Sequence, residues 1–213
     1  MNNDIKQRIA SRVAHDLPDG SFVNLGIGLP TLVAERIPAG REIVFHSENG
    51  LLGMGPAPRA EDVDPELINA GKQPVTLLPG ASIFHHNDSF LMIRGGHIDY
   101  ALLGAFQVSA NGDLANWSTG SGGAAPAVGG AMDLAAGARQ VWVLMEHTTK
   151  EGKPRILERC TYPLTASRVV KRIYTDLAVI DIVNGALVVT DLSEGVTFER
   201  VQALTEAQLY RGC

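Results

Sequence analysis

Ser47-Glu48-Asn49-Gly50 puts a carboxylate where a β-forming run, Ile43-Val44-Phe45, gives way to the glycine-rich stretch Gly50-Leu51-Leu52-Gly53-Met54-Gly55. In open α/β sheets ligands bind at such strand ends, because the loops leaving the strands form a crevice. Glu48 is therefore a candidate for acid, base or nucleophile chemistry, although Glu-Asn-Gly is also the composition of an ordinary solvated turn. The Gly26-Ile27-Gly28 turn resembles half of a dinucleotide fingerprint, but Thr31 stands where the third glycine belongs and Pro30 begins a helix instead, which argues against a nicotinamide cofactor. The same turn can still offer backbone amides to a carbonyl oxygen or a phosphate. His85-His86 has no acidic or thiol partner at metal-ligand spacing and, read on a strand, its side chains point apart. Glu146-His147 follows a strand and can line the crevice or form a loop ion pair, whereas Asp99 and Asp133, each beside apolar residues, read as caps or hydrogen-bonded structural acids.

These residues need elements to position them. Ile5, Ile9, Val13 and Leu17 recur at helical spacing and stop at Pro18-Asp19-Gly20. Ser21–Leu25 reads as a strand, then comes the glycine turn and a helical pattern from Thr31 to Ile37. Further strand-like runs fall at 43–46, 75–78, 90–93, 100–103 and 140–145. Asn111-Gly112 and Asn184-Gly185 each sit between β-forming runs as hairpin turns, the latter between 177–183 and 186–189. Helical patterns follow at 198–204 and 206–210, and the Gly/Ala-rich stretch 120–130 reads as a functional loop. Alternating strands and helices of this kind specify an α/β fold in one domain spanning 1–213.

Composition narrows the function. The formal net charge is -5 and the 18 lysines and arginines are dispersed, so no basic patch for nucleic acid is present. No apolar run has the length of a membrane span and the first residues lack the pattern of a secretory signal, so a cytoplasmic protein is expected. Cys160 and Cys213 have no C-x-x-C partner and read as plain thiols. No metal is expected.

The chain resembles the β subunit of the family I CoA-transferases, the 3-oxoacid and 3-oxoadipate group, over nearly its whole length. The resemblance rests on Asn24-Leu25-Gly26-Ile27-Gly28-Leu29-Pro30, Ser47-Glu48-Asn49-Gly50, Leu67-Ile68-Asn69-Ala70-Gly71-Lys72, Arg94-Gly95-Gly96-His97-Ile98-Asp99, Gly112-Asp113-Leu114-Ala115-Asn116-Trp117, Gly129-Gly130-Ala131-Met132-Asp133-Leu134, Glu146-His147-Thr148 and the stretch 173–179. It implies a CoA-transferase-like open sheet with flanking helices, Glu48 as covalent nucleophile, and an oxyanion and acyl pocket shaped by Asn24, Gly26, Gly28, Gly129 and Gly130. Asn49 and Gly50 are expected to contact CoA. The resemblance also implies a separate α subunit in an α2β2 assembly, acyl-CoA and 3-oxo acid substrates, and no cofactor beyond coenzyme A itself as substrate. The context of 84–86, 104–109 and 160–165 is more similar to the 3-oxoadipate enzymes than to the acetoacetate ones, and a second substrate carboxylate would then need a donor, for which His85, His86 and Arg94 are the candidates.

The residue chemistry is consistent with this expectation. A carboxylate expelling a thiolate works uphill by roughly 5–6 kcal/mol, judged from reference pKa values of about 4.3 and 8.5. Contacts to the remote CoA arm and backbone amides aimed at a developing oxyanion are the usual ways to offset such a gap. Two other activities use the same residues: a thioester hydrolase, in which water takes the acyl group, and an acyl-CoA-binding subunit whose partner carries the nucleophile.

Overall fold

In the computed structural model, which describes residues 2–120 and 127–212, the chain opens with helix α1 (Asn3–Asp16). Asn2 caps it by accepting from the Asp4 amide, and Ile9, Val13 and the following Leu17 turn to the interior. Among the described residues thirteen strands follow: β1 (Phe22–Leu25), β2 (Val44–Ser47), β3 (Leu51–Met54), β4 (Leu77–Ile83), β5 (Tyr100–Leu103), β6 (Gln107–Ser109), β7 (Leu114–Ala115), β8 (Gln140–Leu144), β9 (Ile156–Leu157), β10 (Val170–Tyr174), β11 (Ala178–Val183), β12 (Ala186–Leu192) and β13 (Leu209–Arg211). Helices α2 (His86–Arg94), α3 (Ala131–Gly137) and α4 (Phe198–Ala203) and a 3-10 helix (Leu29–Arg36) complete the elements.

Ten strands form one sheet in the order β13-β12-β11-β10-β8-β5-β1-β2-β3-β4, and β7-β6-β9 form a second. The five central strands β10, β8, β5, β1 and β2 are mutually parallel. The chain moves from β1 outward to β2 and returns to the other side of β1 at β5, so the carboxyl ends of β1 and β5 flank a topological switch point, the usual place for a ligand crevice.

The two innermost strands run apolar through Ala101–Leu103 of β5 and Val141–Leu144 of β8 because both faces are covered, while β1, β2 and β10 carry Asn24, His46 and Arg172 within them. Period-2 alternation sends Leu102, Trp142 and Leu144 to the face packed by α1 and the 3-10 helix, and Ala101, Leu103, Val141 and Val143 to the face holding Ile93 of α2 and Leu134 of α3. Each such fully buried aliphatic side chain contributes about 1.5–3 kcal/mol.

Both expected hairpins form. Asn184 (φ +52°) and Gly185 (φ +78°) turn β11 into β12, and Gly112 closes the β6–β7 connection by donating to Ser109 O at 3.0 Å. Four expectations are corrected. Residues 90–93 belong to α2: His85 caps this helix through Nδ1, which accepts from the Asn87 amide at 3.2 Å, and Ser89 and Ile93 are the buried pair four apart. A four-residue apolar run carries no period of its own, so Phe90-Leu91-Met92-Ile93 reads equally as strand. Residues 206–210 are not helical but lead into β13, where buried Ala207 and Leu209 follow the two-residue period and β13 pairs in parallel with β12. The segment 31–37 winds as a 3-10 helix behind Pro30, and the strand expected at 75–78 lies at 77–83.

Candidate active site

Glu48 and Asn49 are the central residues of a β-turn that joins β2 to β3, closed by the Gly50 amide donating to Ser47 O at 3.0 Å. Three outside contacts fix this turn. Ser47 Oγ accepts from the Ala70 amide at 2.9 Å, Asn49 Nδ2 donates to Ile68 O at 2.7 Å, and the Phe84 amide donates to Gly50 O at 3.0 Å. Gly50 has φ +117° and lies so close to Phe84 that a Cβ would overlap its carbonyl oxygen, so only glycine fits there.

The Glu48 carboxylate is half-buried against the backbone of Gly130, at the start of α3: a Cβ on Gly130 would stand 2.6 Å from Glu48 Oε2 and 2.9 Å from Cδ. Burial pushes its pKa above the ordinary carboxylate range, the His86 imidazole opposing that shift and the Asp133 carboxylate adding to it. Behind the turn lies a neutral polar wall. Asn24 Nδ2 is 2.9 Å from His46 Nδ1, and His46 Nε2 is 2.8 Å from Ser89 Oγ. With the Asn24 amide donating, Nδ1 accepts and the ring proton sits on Nε2, directed at Ser89 Oγ. Complete burial pushes the His46 pKa down to about 4, so the ring carries no charge at neutral pH.

In front of Glu48 a cleft of about 520 Å³ runs along the carboxyl ends of β1, β5 and β8. Leu25, Leu29, Leu103, Phe106, Leu134 and Met145 supply its apolar wall, and Glu48, Asn116, Glu146 and Arg155 its polar side chains. Arg155 is the one cationic side chain that lines it among the described residues. Its Nε donates to Phe106 O at 3.0 Å and its Nη2 to Ala105 O, so the guanidinium is held by the loop leaving β5. Asn116 bridges that loop to the chain beyond β9, donating to Gly104 O at 3.1 Å and accepting from Thr165 Oγ1 at 2.6 Å.

The expected site residues fall into two groups. Glu48, Gly26, Gly129 and Gly130 line the cleft together. Asn24 does not: alternation along β1 turns it from Val23 and Leu25 toward His46, and it is buried among β2 and α2. The Gly26 amide donates to Leu102 O at 2.8 Å and the Gly50 amide closes its own turn, so neither is free for an oxyanion or for the Glu48 carboxylate. Gly28 caps the 3-10 helix, its carbonyl accepting from Thr31. Of the carboxylate donors expected, His85 is a helix cap, and Arg94 is exposed, paired with Asp133 at 2.7 Å and stacked on Phe90. Of the three, only His86 acts on Glu48, lowering its pKa electrostatically.

Glu146 lines the cleft, while His147 is buried between Thr175 Oγ1 at 3.0 Å and Thr205 Oγ1 at 2.8 Å, where burial lowers its pKa to about 4. Asp99 is a structural acid, accepting from the Phe22 amide and Arg139, as Asp133 does from Arg94. Cys160 is a partly buried thiol whose pKa burial raises to about 11. Cys213 and residues 121–126 of the glycine-rich loop lie outside the described residues. Arg155 escapes sequence reading, since nothing in Lys153-Pro154-Arg155 separates it from a solvated turn cation.

No helix among the described residues is long and apolar enough to cross a membrane. Residues 6–204 match the sequence pattern of the family described as Coenzyme A transferase. The chain is 57% identical over 204 residues to the β subunit of 3-oxoadipate CoA-transferase from Acinetobacter baylyi, covering 96% of this chain and 94% of that one. It is 50% identical to the β subunit of succinyl-CoA:3-ketoacid coenzyme A transferase from Helicobacter pylori, covering 96% and 98%. Among solved structures, an acyl-CoA transferase from Escherichia coli O157:H7 superimposes with a TM-score of 0.76 at 15% identity; all of this chain is covered but only 43% of that longer one. Glutaconate coenzyme A-transferase from Acidaminococcus fermentans gives 0.71 at 18% identity, covering 98% and 86%. A carboxylate beside the switch point of an open α/β sheet thus sits in a chain whose sequence places it in the coenzyme A transferase family and whose fold is that of solved CoA transferases.

Proposed function

We propose that this chain is the β subunit of an enzyme that moves CoA from succinyl-CoA to a 3-oxo acid, with 3-oxoadipate as the acceptor, through a glutamyl-CoA thioester on Glu48. The observation that carries this reading is the Glu48 carboxylate, half-buried against the Gly130 backbone at the head of an apolar cleft. In the first step a Glu48 Oε attacks the thioester carbon of succinyl-CoA, the C–S bond breaks, and an acyl-glutamyl anhydride and CoA thiolate form. The thiolate then attacks the Glu48 carbonyl carbon and succinate leaves with the anhydride oxygen. The acceptor acid runs both steps in reverse, which regenerates the Glu48 carboxylate and releases 3-oxoadipyl-CoA. The Gly130 backbone lies against the Glu48 carboxylate, and in this scheme amides of that segment serve as donors to the tetrahedral oxyanion. With a single cation in the cleft among the described residues, the CoA phosphates require donors from elsewhere, which an α subunit supplies in an α2β2 assembly in the cytoplasm.

The experiment is to incubate the reconstituted complex with succinyl-CoA without acceptor, reduce with borohydride, and weigh the peptide spanning residues 43–58. The expected result is a mass change at Glu48 that Glu48→Gln abolishes together with turnover. An unmodified peptide from active enzyme refutes the covalent scheme, and CoA release without an acceptor acid points to hydrolysis. The similarity to succinyl-CoA:3-ketoacid transferases favours acetoacetate as a second acceptor, so the two acids are compared directly as acceptors.

A further inference from the structure

Arg155 is a charged group placed where charge is costly. Its guanidinium is half-buried, and burial lowers its pKa while Glu146, Tyr162 and Asp176 counter that shift. The carbonyls of Ala105 and Phe106 take two of its five N–H donors and fix its plane at the cleft wall. It faces the same cleft as Glu48 and is its one cation among the described residues.

The strand order puts the two on one edge of the sheet. Glu48 follows β2 and the Ala105–Phe106 segment follows β5, with β1 between them, so both groups open on the same crevice and a substrate held at Glu48 can extend toward the guanidinium.

We infer that Arg155 receives the distal carboxylate of a dicarboxylic substrate whose other carboxyl group is activated at Glu48, and so selects oxo diacids over monocarboxylic oxo acids. This rests on the proposed transferase reading and names the substrate class of the same site. Glu146 stands beside the guanidinium and partly balances its charge, so the incoming carboxylate gains less than a lone cation would give it. The remaining cleft wall is apolar, which suits the methylene chain between the two carboxyl groups.

The test isolates the second half-reaction. The reconstituted complex is loaded with CoA from acetoacetyl-CoA, which has no distal carboxylate, and then offered 3-oxoadipate or acetoacetate. Arg155→Gln should lower the ratio of kcat/KM for 3-oxoadipate to that for acetoacetate by roughly ten- to a hundredfold. Arg155→Lys keeps a cation without the planar fork and should retain part of the preference, which also reads the role if the glutamine variant folds poorly. A ratio within twofold of wild type in the variants that fold overturns the assignment. Failure of the wild-type complex to load CoA refutes the Glu48 scheme instead, and the same ratio measured in steady state still decides the role of Arg155.

Discussion

Gly130→Ala tests whether the contact between α3 and Glu48 sets the reactive geometry. Gly130 has φ -73° and ψ -6°, a conformation alanine adopts without strain, so the backbone tolerates the change. The new Cβ, however, would lie 2.6 Å from Oε2 and 2.9 Å from both Cδ and Oε1 of Glu48. Ordinary contact begins near 3.5 Å, so the carboxylate must withdraw by roughly 0.5–1 Å. A displacement of about 1 Å in a reacting group costs up to about a hundredfold. The expected loss in kcat/KM is therefore ten- to a hundredfold, or about 1.4–2.7 kcal/mol of transition-state stabilisation. The thermal midpoint should stay level or rise, because replacing glycine reduces the freedom of the unfolded chain. Gly129→Ala provides the contrast: its added Cβ meets nothing within 4 Å, but φ is +58°, so it should lose about 1 kcal/mol of stability through backbone strain. Steady-state kinetics and thermal denaturation of both variants in the reconstituted complex separate the two effects. Gly130→Ala with kcat/KM within twofold of wild type would refute the reasoning.

Two further outcomes follow from charge. His86 holds the Glu48 pKa down against burial, so His86→Gln should move the acid limb of the kcat/KM profile to higher pH; a limb that stays or moves down contradicts this assignment. His46 and His147 are buried neutral with pKa values of about 4, below the ordinary 6.5. The unfolded chain therefore binds more protons between those values, and stability falls as the pH drops from 6.5 toward 4, by up to about 3 kcal/mol per histidine. Urea midpoints should decline over that window and decline less in His147→Gln; a slope unchanged by that substitution argues against a buried neutral ring.

β5 and β8 are legible in the sequence because two covered faces leave uninterrupted apolar runs, and Asn184-Gly185 is legible because a type I′ turn demands those residues. Phe90-Leu91-Met92-Ile93 is not, since its helix is decided by the His85 cap and by which neighbours bury Ser89 and Ile93. Glu48 is visible through its motif and its strand end. The direction of Asn24 and the occupied amides of Gly26 and Gly50 depend on strand register and on partners 22 to 76 positions away or within the turn itself, none of which appears in a local pattern. Arg155 is hidden for the same reason: it reaches the cleft only because β5, β6 and β9 bring its carbonyl partners beside it.

The neutral wall behind Glu48 has an energetic meaning. In the proposed scheme a resting carboxylate must exchange places with two acyl derivatives, and a turnover is fast only when those species lie at similar free energies. A cation fixed under the nucleophile would deepen the resting state and leave both derivatives high above it. The Asn24–His46–Ser89 group offers polarity without positive charge, because His46 stays deprotonated far below neutral pH. Each unit by which burial lifts the Glu48 pKa narrows the gap to a thiol leaving group by about 1.4 kcal/mol. In that scheme burial lifts the resting carboxylate toward its two acyl derivatives, with His86 setting a limit on how far.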